Sequence, residues 1–247
     1  MRATICLPTY NERDNLEPML RALGAVLREG DRVLVVDDGS PDGTGALADS
    51  LAGELGFVDV LHRERKEGLG PAYIAGFREV LAGDAELVLE MDCDFSHDPA
   101  DVPRLIAAAE TGADLVLGSR YVPGGSIPNW GLVRRAVSLG GNLYAQLFLT
   151  SGIRDLTGGF KCFRREVLEA IDLTRVRSQG YAFQVELTYR ALERGFEVTE
   201  VPIVFRDRRL GRSKMSPSIA IEACWMLPRL RFAHRDPGPG AGGPGPG

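Results

Sequence analysis

The fold is decided by the stretch Val33-Leu-Val-Val-Asp-Asp-Gly-Ser-Pro-Asp-Gly-Thr44, and by a second stretch of the same kind, Leu87-Val-Leu-Glu-Met-Asp-Cys-Asp-Phe-Ser-His97. Each begins as an aliphatic run typical of a buried strand and ends in clustered carboxylates. In open α/β sheets, ligands bind beyond the carboxyl ends of the strands. The two acidic strand ends therefore predict a site for a cation and an anionic ligand.

Short apolar runs alternate with segments whose leucines repeat every three or four residues, which is a βαβαβ pattern. The pattern predicts an α/β fold with a mostly parallel central sheet flanked by helices. Strands are expected at Ala3–Leu7, Arg32–Asp37, Phe57–His62, Leu87–Met91, Leu115–Ser119 and Glu197–Phe205, with a long helix over Val133–Leu149.

Length and composition favour one ordinary globular domain over residues 1–235 of the 247-residue chain. Residues 236–247 are almost entirely Pro, Gly and Ala, so we expect a disordered tail. The net charge of −5 argues against nucleic-acid binding. Four scattered cysteines and three histidines make disulfides or structural zinc improbable. With no leader peptide and no long apolar run, we expect a cytoplasmic protein.

The pair Asp92 and Asp94 has the spacing of a metal site. Residues two apart in an extended chain face the same way, so both carboxylates can point into one cavity. Mg²⁺ and Mn²⁺ prefer oxygen ligands and are often held by one or two carboxylates together with phosphates. A solvated turn is the alternative for such a pair, and its position behind a buried run favours the metal site.

Two other strand ends are open to plainer explanations. Asp37-Asp38-Gly-Ser40 is built from ordinary turn residues, and Ser40 could merely cap the next helix. Pro8-Thr-Tyr-Asn-Glu12 offers an aromatic platform and a carboxylate, but Asn11 could equally serve as a helix cap.

Residues 206–214 carry four arginines and a lysine against a single Asp207. Such a run is usually a solvated face. In an acidic chain, a basic loop beside a strand end fits the capture of a polyanion better, because arginine binds phosphate oxygens bidentately.

Four segments occur in a specific order: Pro8-Thr-Tyr-Asn-Glu12, Asp37-Asp38-Gly-Ser40, Asp92-Cys-Asp94 and Gly118-Ser-Arg-Tyr121. In this respect the sequence resembles the family 2 glycosyltransferases of the GT-A fold, over Thr4 to Lys214. Within them it is most similar to the dolichol- and polyprenol-phosphate mannose synthases. The resemblance implies a nucleotide-sugar-binding half, residues 1–121, and an acceptor-binding half, residues 122–235.

The resemblance also implies roles for individual residues. The nucleotide sugar would be bound by Pro8, Tyr10, Glu12, Asp37, Asp38, Asp92, Asp94 and Lys214, and the metal, Mg²⁺ or Mn²⁺, by Asp92, Asp94 and Ser96. The acceptor phosphate would be bound by Arg134, Ser138 and Arg208. The catalytic residues would be Asp94, Arg120, Arg134 and Arg208. Arg209 adds charge where the family usually has an aromatic or aliphatic residue.

The implied reaction is the inverting transfer of mannose from GDP-mannose to a polyprenyl monophosphate. A lipid monophosphate is largely anionic near neutral pH, so no general base is needed. The alternative is transfer from another nucleotide sugar, such as UDP-glucose or UDP-GlcNAc, to a lipid phosphate or a polysaccharide hydroxyl. An NAD-dependent enzyme is disfavoured because the first strand does not lead into Gly-x-Gly-x-x-Gly.

The stretch Leu132–Leu149 indicates how the chain meets a membrane-embedded substrate. As a helix it gathers Arg134, Ser138, Asn142 and Gln146 on one polar stripe, and Val137, Leu143, Tyr144, Leu147 and Phe148 on the other side. Packing on the protein's own core is the plain alternative. The paired arginines at its start favour an interfacial helix. We therefore expect a peripheral protein on the cytoplasmic face of the membrane, and leave open a separate membrane-protein partner.

Overall fold

The computed structural model describes residues 1–128, 130–149, 152–176, 178 and 180–207, without the side chains of Val133, Phe148 and Tyr181. Its elements follow the chain as β1 (Ala3–Thr9), α1 (Arg13–Gly24), β2 (Arg32–Asp37), α2 (Thr44–Leu55), β3 (Val58–His62), α3 (Leu69–Ala82), β4 (Leu87–Glu90), α4 (Val102–Glu110), β5 (Leu115–Ser119), α5 (Leu132–Leu149), β6 (Lys161–Arg164), α6 (Arg165–Ala170), α7 (Gly180–Glu193) and β7 (Val198–Pro202). The expected tail, residues 236–247, lies outside the described residues.

The strands form one sheet in the order β3-β2-β1-β4-β6-β5-β7. Strand β6 runs antiparallel to both of its neighbours, while the other four pairings are parallel. The mostly parallel α/β sheet is thus confirmed. Strand β6 was not predicted, because its four residues begin and end with a charge and show no apolar run. The last strand is shorter than predicted, since β7 ends at Pro202.

Helices cover both faces of the sheet because strand side chains alternate between them. On one face, Val88 and Phe163 pack in the core with residues of α3, α5, α6 and α7. On the other face, Leu87 and Leu89 pack with residues of α1, α2 and α4. Burial on both faces explains why these strands read as continuous apolar runs.

The topology brings the acidic motifs to one edge of the sheet. Parallel register aligns the end of β1 with the end of β2, through the pair Thr9 and Asp37. The antiparallel β6 starts where β4 ends, since Lys161 lies opposite Glu90. Ser119 of β5 pairs with Pro202 at the same edge. The segments that follow these strand ends therefore converge.

Helix α5 is amphipathic as expected, with its polar side towards the protein. Asn142 is buried and accepts hydrogen bonds from the backbone N–H groups of Leu156 and Thr157. The opposite side exposes large apolar residues: Leu132 (84%), Val137 (62%), Leu139 (47%), Leu143 (57%) and Leu147 (69%). Tyr144 was assigned to this apolar side, which is wrong, because it packs against the core. None of the described helices is long and apolar enough to cross a bilayer.

Candidate active site

The ends of β1 and β2 build the first wall of the site. The carboxylate of Asp37 accepts a hydrogen bond from the backbone N–H of Ser40 at 3.2 Å, and lies so close to Gly45 that a Cβ there would stand 2.9 Å from Oδ2. Asn11 adopts a left-handed φ of 56° and donates its backbone N–H to the Ser40 hydroxyl at 3.0 Å. The two strand-end loops are therefore locked together.

The carboxylate of Glu12 is nearly buried and accepts a hydrogen bond from Asn15 at 2.8 Å. Its backbone N–H donates to the Thr44 hydroxyl at 3.1 Å. Thr44 is the first residue of α2, so this contact ties the start of α1 to the start of α2. Pro8 is partly buried one residue before the end of β1.

A loop that the sequence analysis missed lies over this wall. It follows β3 and contains Arg63, Lys66 and Glu67. The guanidinium of Arg63 pairs with Asp38, whose carboxylate also accepts the backbone N–H of Glu67 at 3.3 Å. The ammonium of Lys66 lies 4.1 Å from the ring centroid of Tyr10. The signal was present, since a charged run directly after a parallel strand reaches the same edge as the other strand ends.

The end of β4 presents Asp92, Asp94 and Ser96. Oδ1 of Asp94 accepts the backbone N–H of Ser96 at 3.0 Å, and both residues are almost fully buried. Phe95 between them has a left-handed φ of 59°, which costs energy in a non-glycine residue. The Ser96 hydroxyl oxygen is buried without a hydrogen-bond partner among the described residues.

His97 supports this loop from behind. Its Nδ1 accepts the backbone N–H of Asp92 at 3.3 Å, and its ring stacks on Phe160 with centroids 5.0 Å apart. Burial lowers the pKa of His97 to about 4, so the ring is neutral near pH 7. An imidazole that accepts at Nδ1 carries its proton on Nε2.

Behind the same strand end lie two buried ionisable residues at opposite positions of neighbouring strands, Glu90 on β4 and Lys161 on β6. Burial raises the pKa of Glu90 to about 7, although the charge of Lys161 opposes the shift. Burial likewise lowers the pKa of Lys161 to about 8 against the charge of Glu90. The Lys161 ammonium donates to the backbone carbonyl of Gln184 at 2.6 Å. Sequence reasoning missed Lys161 because it missed β6.

Arg120 follows β5 and is engaged by the protein itself. Its guanidinium donates to both oxygens of Asp155 at 2.7 Å and to the Thr157 hydroxyl at 2.7 Å. Burial by itself raises the pKa of Asp155, but the charge and hydrogen bonds of Arg120 outweigh it and hold that pKa below its ordinary value. Arg120 and Asp155 thus form a buried ion pair at the edge of the site.

The acceptor residues expected on α5 lie beside this pair. Arg134 is half exposed, pairs with Asp207, and has its guanidinium carbon 4.1 Å above the ring centroid of Trp130. The Ser138 hydroxyl accepts a hydrogen bond from the Tyr121 hydroxyl at 2.7 Å. Arg208, Arg209 and Lys214 lie outside the described residues.

The arrangement as a whole unites a carboxylate loop, an aromatic and carboxylate wall, and basic side chains at one sheet edge. Comparison with known proteins matches residues 4–172 to the model of glycosyl transferase family 2. The chain belongs to glycosyl transferase family 2. It is a glycosyltransferase with a GT-A fold, as the sequence analysis expected.

This family 2 glycosyltransferase has curated relatives that span nearly its whole length. It is 52% identical over 229 residues to polyprenol monophosphomannose synthase of Mycolicibacterium smegmatis, covering 92% of this chain and 85% of that protein. It is 48% identical over 235 residues to undecaprenyl-phosphate mannosyltransferase of Micrococcus luteus, covering 95% of this chain and 96% of that protein.

Solved structures of glucosyl-3-phosphoglycerate synthase from Mycobacterium tuberculosis share the fold of this glycosyltransferase. One, in complex with phosphoglyceric acid, has a TM-score of 0.70 at 22% identity and covers 96% of this chain and 82% of that chain. Another, with Mn²⁺, UDP and phosphoglyceric acid, has a TM-score of 0.71 at 20% identity and covers 94% of this chain and 78% of that chain.

Proposed function

We propose that this glycosyltransferase transfers mannose from GDP-mannose to the phosphate of a polyprenyl monophosphate. The proposal is carried by the names of the two curated relatives, a polyprenol monophosphomannose synthase and an undecaprenyl-phosphate mannosyltransferase. They are 52% and 48% identical to this chain over more than nine-tenths of its length. The basic acceptor side around Arg134 supports it, because arginine favours a phosphate over a neutral sugar hydroxyl.

The donor's nucleotide occupies the wall formed by β1 and β2. Tyr10 supplies an aromatic face for the base or ribose, with Pro8, Glu12 and Asp37 bordering it. Asp38 accepts a hydrogen bond from the N–H edge of guanine, in the pocket where it also pairs with Arg63. We also assign diphosphate binding to Lys214, which lies outside the described residues.

The residues after β4 fit a divalent cation, Mg²⁺ or Mn²⁺. The buried Ser96 hydroxyl lacks a partner among the described residues, and the backbone N–H of the same residue donates to the Asp94 carboxylate. A hydroxyl and a carboxylate are both oxygen ligands of the kind that a hard cation prefers. With Asp92, this set offers two carboxylates and a hydroxyl and leaves further ligand positions to a diphosphate. A bound cation would neutralise the charge that develops on the departing diphosphate.

The chain's own residues then align the two substrates. A phosphate oxygen of the lipid forms a bond to the anomeric carbon of mannose, and the bond from that carbon to the diphosphate oxygen breaks, which leaves GDP with the electron pair. Arg134, Ser138 and Arg208 hold the acceptor phosphate on the face opposite the leaving group. A single displacement inverts the anomeric centre, so an α-linked donor gives a β-linked product.

Arg120 belongs to the proposed catalytic set, as the basic group at the end of β5. In this structure its guanidinium donates to Asp155 and Thr157. The Asp155 carboxylate compensates this charge, so what Arg120 contributes is the fixed position of the loop after β5 and not the field of an unpaired cation.

Membrane contact is part of the proposal. The lipid acceptor resides in a bilayer, and the exposed side of α5 carries the apolar residues Leu132, Val137, Leu139, Leu143 and Leu147. Arg134 and Arg135 at its start are exposed and match the charge of anionic lipid headgroups. We place α5 in the headgroup region of the cytoplasmic leaflet, with its apolar side towards the acyl chains.

The activity is tested by incubating the protein with undecaprenyl phosphate and radiolabelled GDP-mannose, UDP-glucose or UDP-GlcNAc, followed by extraction into organic solvent. We expect label in the organic phase only with GDP-mannose and only with the lipid phosphate present. Label from a UDP-sugar instead would refute GDP-mannose as the donor. Label transferred to an added polysaccharide would refute the lipid phosphate as the acceptor.

Flotation with anionic vesicles tests the membrane contact. Leu143→Asp with Leu147→Asp should abolish flotation while nucleotide binding persists, because both side chains are exposed. The matched control, Ser50→Asp with Gly53→Asp, adds the same two charges to exposed positions of α2 and should float like the wild type. Equal flotation of both variants would contradict the proposal.

A further inference from the structure

Trp130 occupies the junction between the end of β5 and the start of α5. Its indole is nine-tenths buried and packs edge-to-face on Phe205, with ring centroids 5.6 Å apart. The guanidinium carbon of Arg134 lies 4.1 Å from its ring centroid, and that of Arg120 lies at 5.9 Å. The indole N–H has no partner among the described residues, so these ring contacts hold the side chain in place.

Tyr121 is the second aromatic residue of this junction. Its ring centroid lies 5.3 Å from the guanidinium carbon of Arg120. The ring centroid of Phe205 lies 5.4 Å from the same carbon. The Tyr121 hydroxyl donates to Ser138 at 2.7 Å. Three rings, those of Tyr121, Trp130 and Phe205, therefore surround Arg120; we call them the aromatic layer.

The aromatic layer has a fixed inner side. Arg120 is held by two hydrogen bonds to Asp155, and both side chains are almost completely buried. A bidentate pair of this kind fixes the plane of the guanidinium. The rings that pack around it are consequently fixed too.

The outer side of the layer touches two residues that are otherwise weakly held. Arg134 is exposed and its ion pair with Asp207 is about as exposed, so that pair contributes little. A guanidinium over an indole face is favourable and geometrically defined. Ser138 has a short side chain whose hydroxyl rotates, and the bond from Tyr121 selects one orientation.

We propose that Trp130 and Tyr121 are positioning residues of the acceptor site. The ring of Trp130 holds Arg134, and the hydroxyl of Tyr121 holds Ser138, each against the buried pair of Arg120 and Asp155. The inference rests on the acceptor role proposed above for Arg134 and Ser138. Arg134 and Ser138 are then already ordered before the lipid phosphate binds, which reduces the entropy lost on binding.

Double-mutant cycles test this coupling. Trp130→Leu removes the ring face and should raise the KM for undecaprenyl phosphate about 2- to 30-fold, which is the range of a cation–π contact expressed as a ratio. Tyr121→Phe removes only a hydroxyl and should raise that KM about 2- to 10-fold. The KM for GDP-mannose should stay within about twofold in both variants, since Arg120 keeps its hydrogen bonds to Asp155 and Thr157 when either ring is changed.

The diagnostic result is non-additivity. Because Trp130 acts through Arg134, Trp130→Leu should change the acceptor KM by less than about twofold in an Arg134→Ala background. Tyr121→Phe should behave in the same way in a Ser138→Ala background. The crossed pairs, Trp130→Leu with Ser138→Ala and Tyr121→Phe with Arg134→Ala, serve as controls and should be additive. Trp130→Phe keeps a ring and should recover most of the loss.

Several outcomes would overturn the inference. They are full additivity of Trp130→Leu with Arg134→Ala, an equal rise in the KM for GDP-mannose, and a Trp130→Phe variant as impaired as Trp130→Leu. The Tyr121→Phe cycle decides the question if Trp130→Leu does not fold. An Arg134→Ala variant with an unchanged acceptor KM would instead refute the proposed acceptor role, and the two failures are thereby distinguished.

Discussion

Replacing Asp155 by asparagine would test the buried ion pair that anchors the acceptor side. The carboxylate accepts from Nε and a terminal nitrogen of Arg120 at 2.7 Å, and from the Arg120 backbone N–H at 2.9 Å. Asparagine has nearly the same shape but turns an NH₂ group towards the guanidinium, so one of these bonds becomes a contact between two donors. The arginine charge is left buried without compensation.

The expected loss is large because both side chains are at most 3% exposed. Breaking a buried pair by removing one partner typically costs about 3–5 kcal/mol. For 247 residues the entropy of unfolding near the midpoint is about 0.5 kcal/mol per degree. The melting temperature should therefore fall by about 6–10 °C. The pKa of Asp155 lies below its ordinary value, so its stabilising effect is complete above the unfolded pKa of about 3.9 and disappears only as the pH falls through the lower folded pKa.

Thermal unfolding followed by circular dichroism at pH 7 measures the effect. Asp207→Asn is the matched control, because it makes the same substitution in the exposed pair with Arg134 and should lower the melting temperature by less than about 2 °C. An Asp155→Asn protein that melts within about 2 °C of the wild type would refute the reasoning.

Three further predictions concern the metal loop and the acceptor side. Asp94→Ala should lower kcat/KM at least about 10³-fold, and EDTA should stop the wild type until Mn²⁺ is restored, because a cation held by this loop would stabilise the departing diphosphate by several kcal/mol. Full turnover in chelator would contradict this. Arg134→Ala should raise the KM for the lipid phosphate while calorimetry finds unchanged affinity for GDP-mannose; equal weakening would move Arg134 to the donor side. His97 has a folded pKa of about 4 and an unfolded pKa near 6.5. Because the unfolded chain binds the extra proton, the free energy of unfolding should fall by about 2 kcal/mol between pH 7 and pH 4.5. Urea unfolding at the two pH values should find that loss reduced in His97→Asn, which keeps an acceptor for the Asp92 N–H.

The sequence predicted the part of the fold that rests on periodicity. Apolar runs and helical repeats identified β1 to β5 and α5, and the acidic strand ends located the site at one sheet edge. Strand β6 was not predicted because Lys161 and Arg164 place charges in a four-residue strand. In the structure, the Lys161 charge lies near the buried Glu90. That compensation comes from a residue 71 positions earlier, and local patterns carry no such information.

Side-chain partners were the other unpredictable element. The family resemblance named Asp38, Arg120 and Arg134, yet nothing in the sequence indicates that Arg63, Asp155 and Trp130 contact them. Each partner lies on another loop and reaches the site only through the sheet order. The direction of α5 was likewise open, because an amphipathic pattern does not say which side faces the protein.

The antiparallel insertion of β6 has a consequence for the order of folding. Strand β5 leaves the ribosome before β6, yet it joins the sheet only through β6 and reaches β4 by no other strand. During synthesis, β3, β2, β1 and β4 can pair as a local parallel unit, while the outer edge of β4 stays unpaired until about 70 further residues have emerged. Until β6 emerges, that edge is open to pairing with strands of other chains, so aggregation during synthesis would begin there.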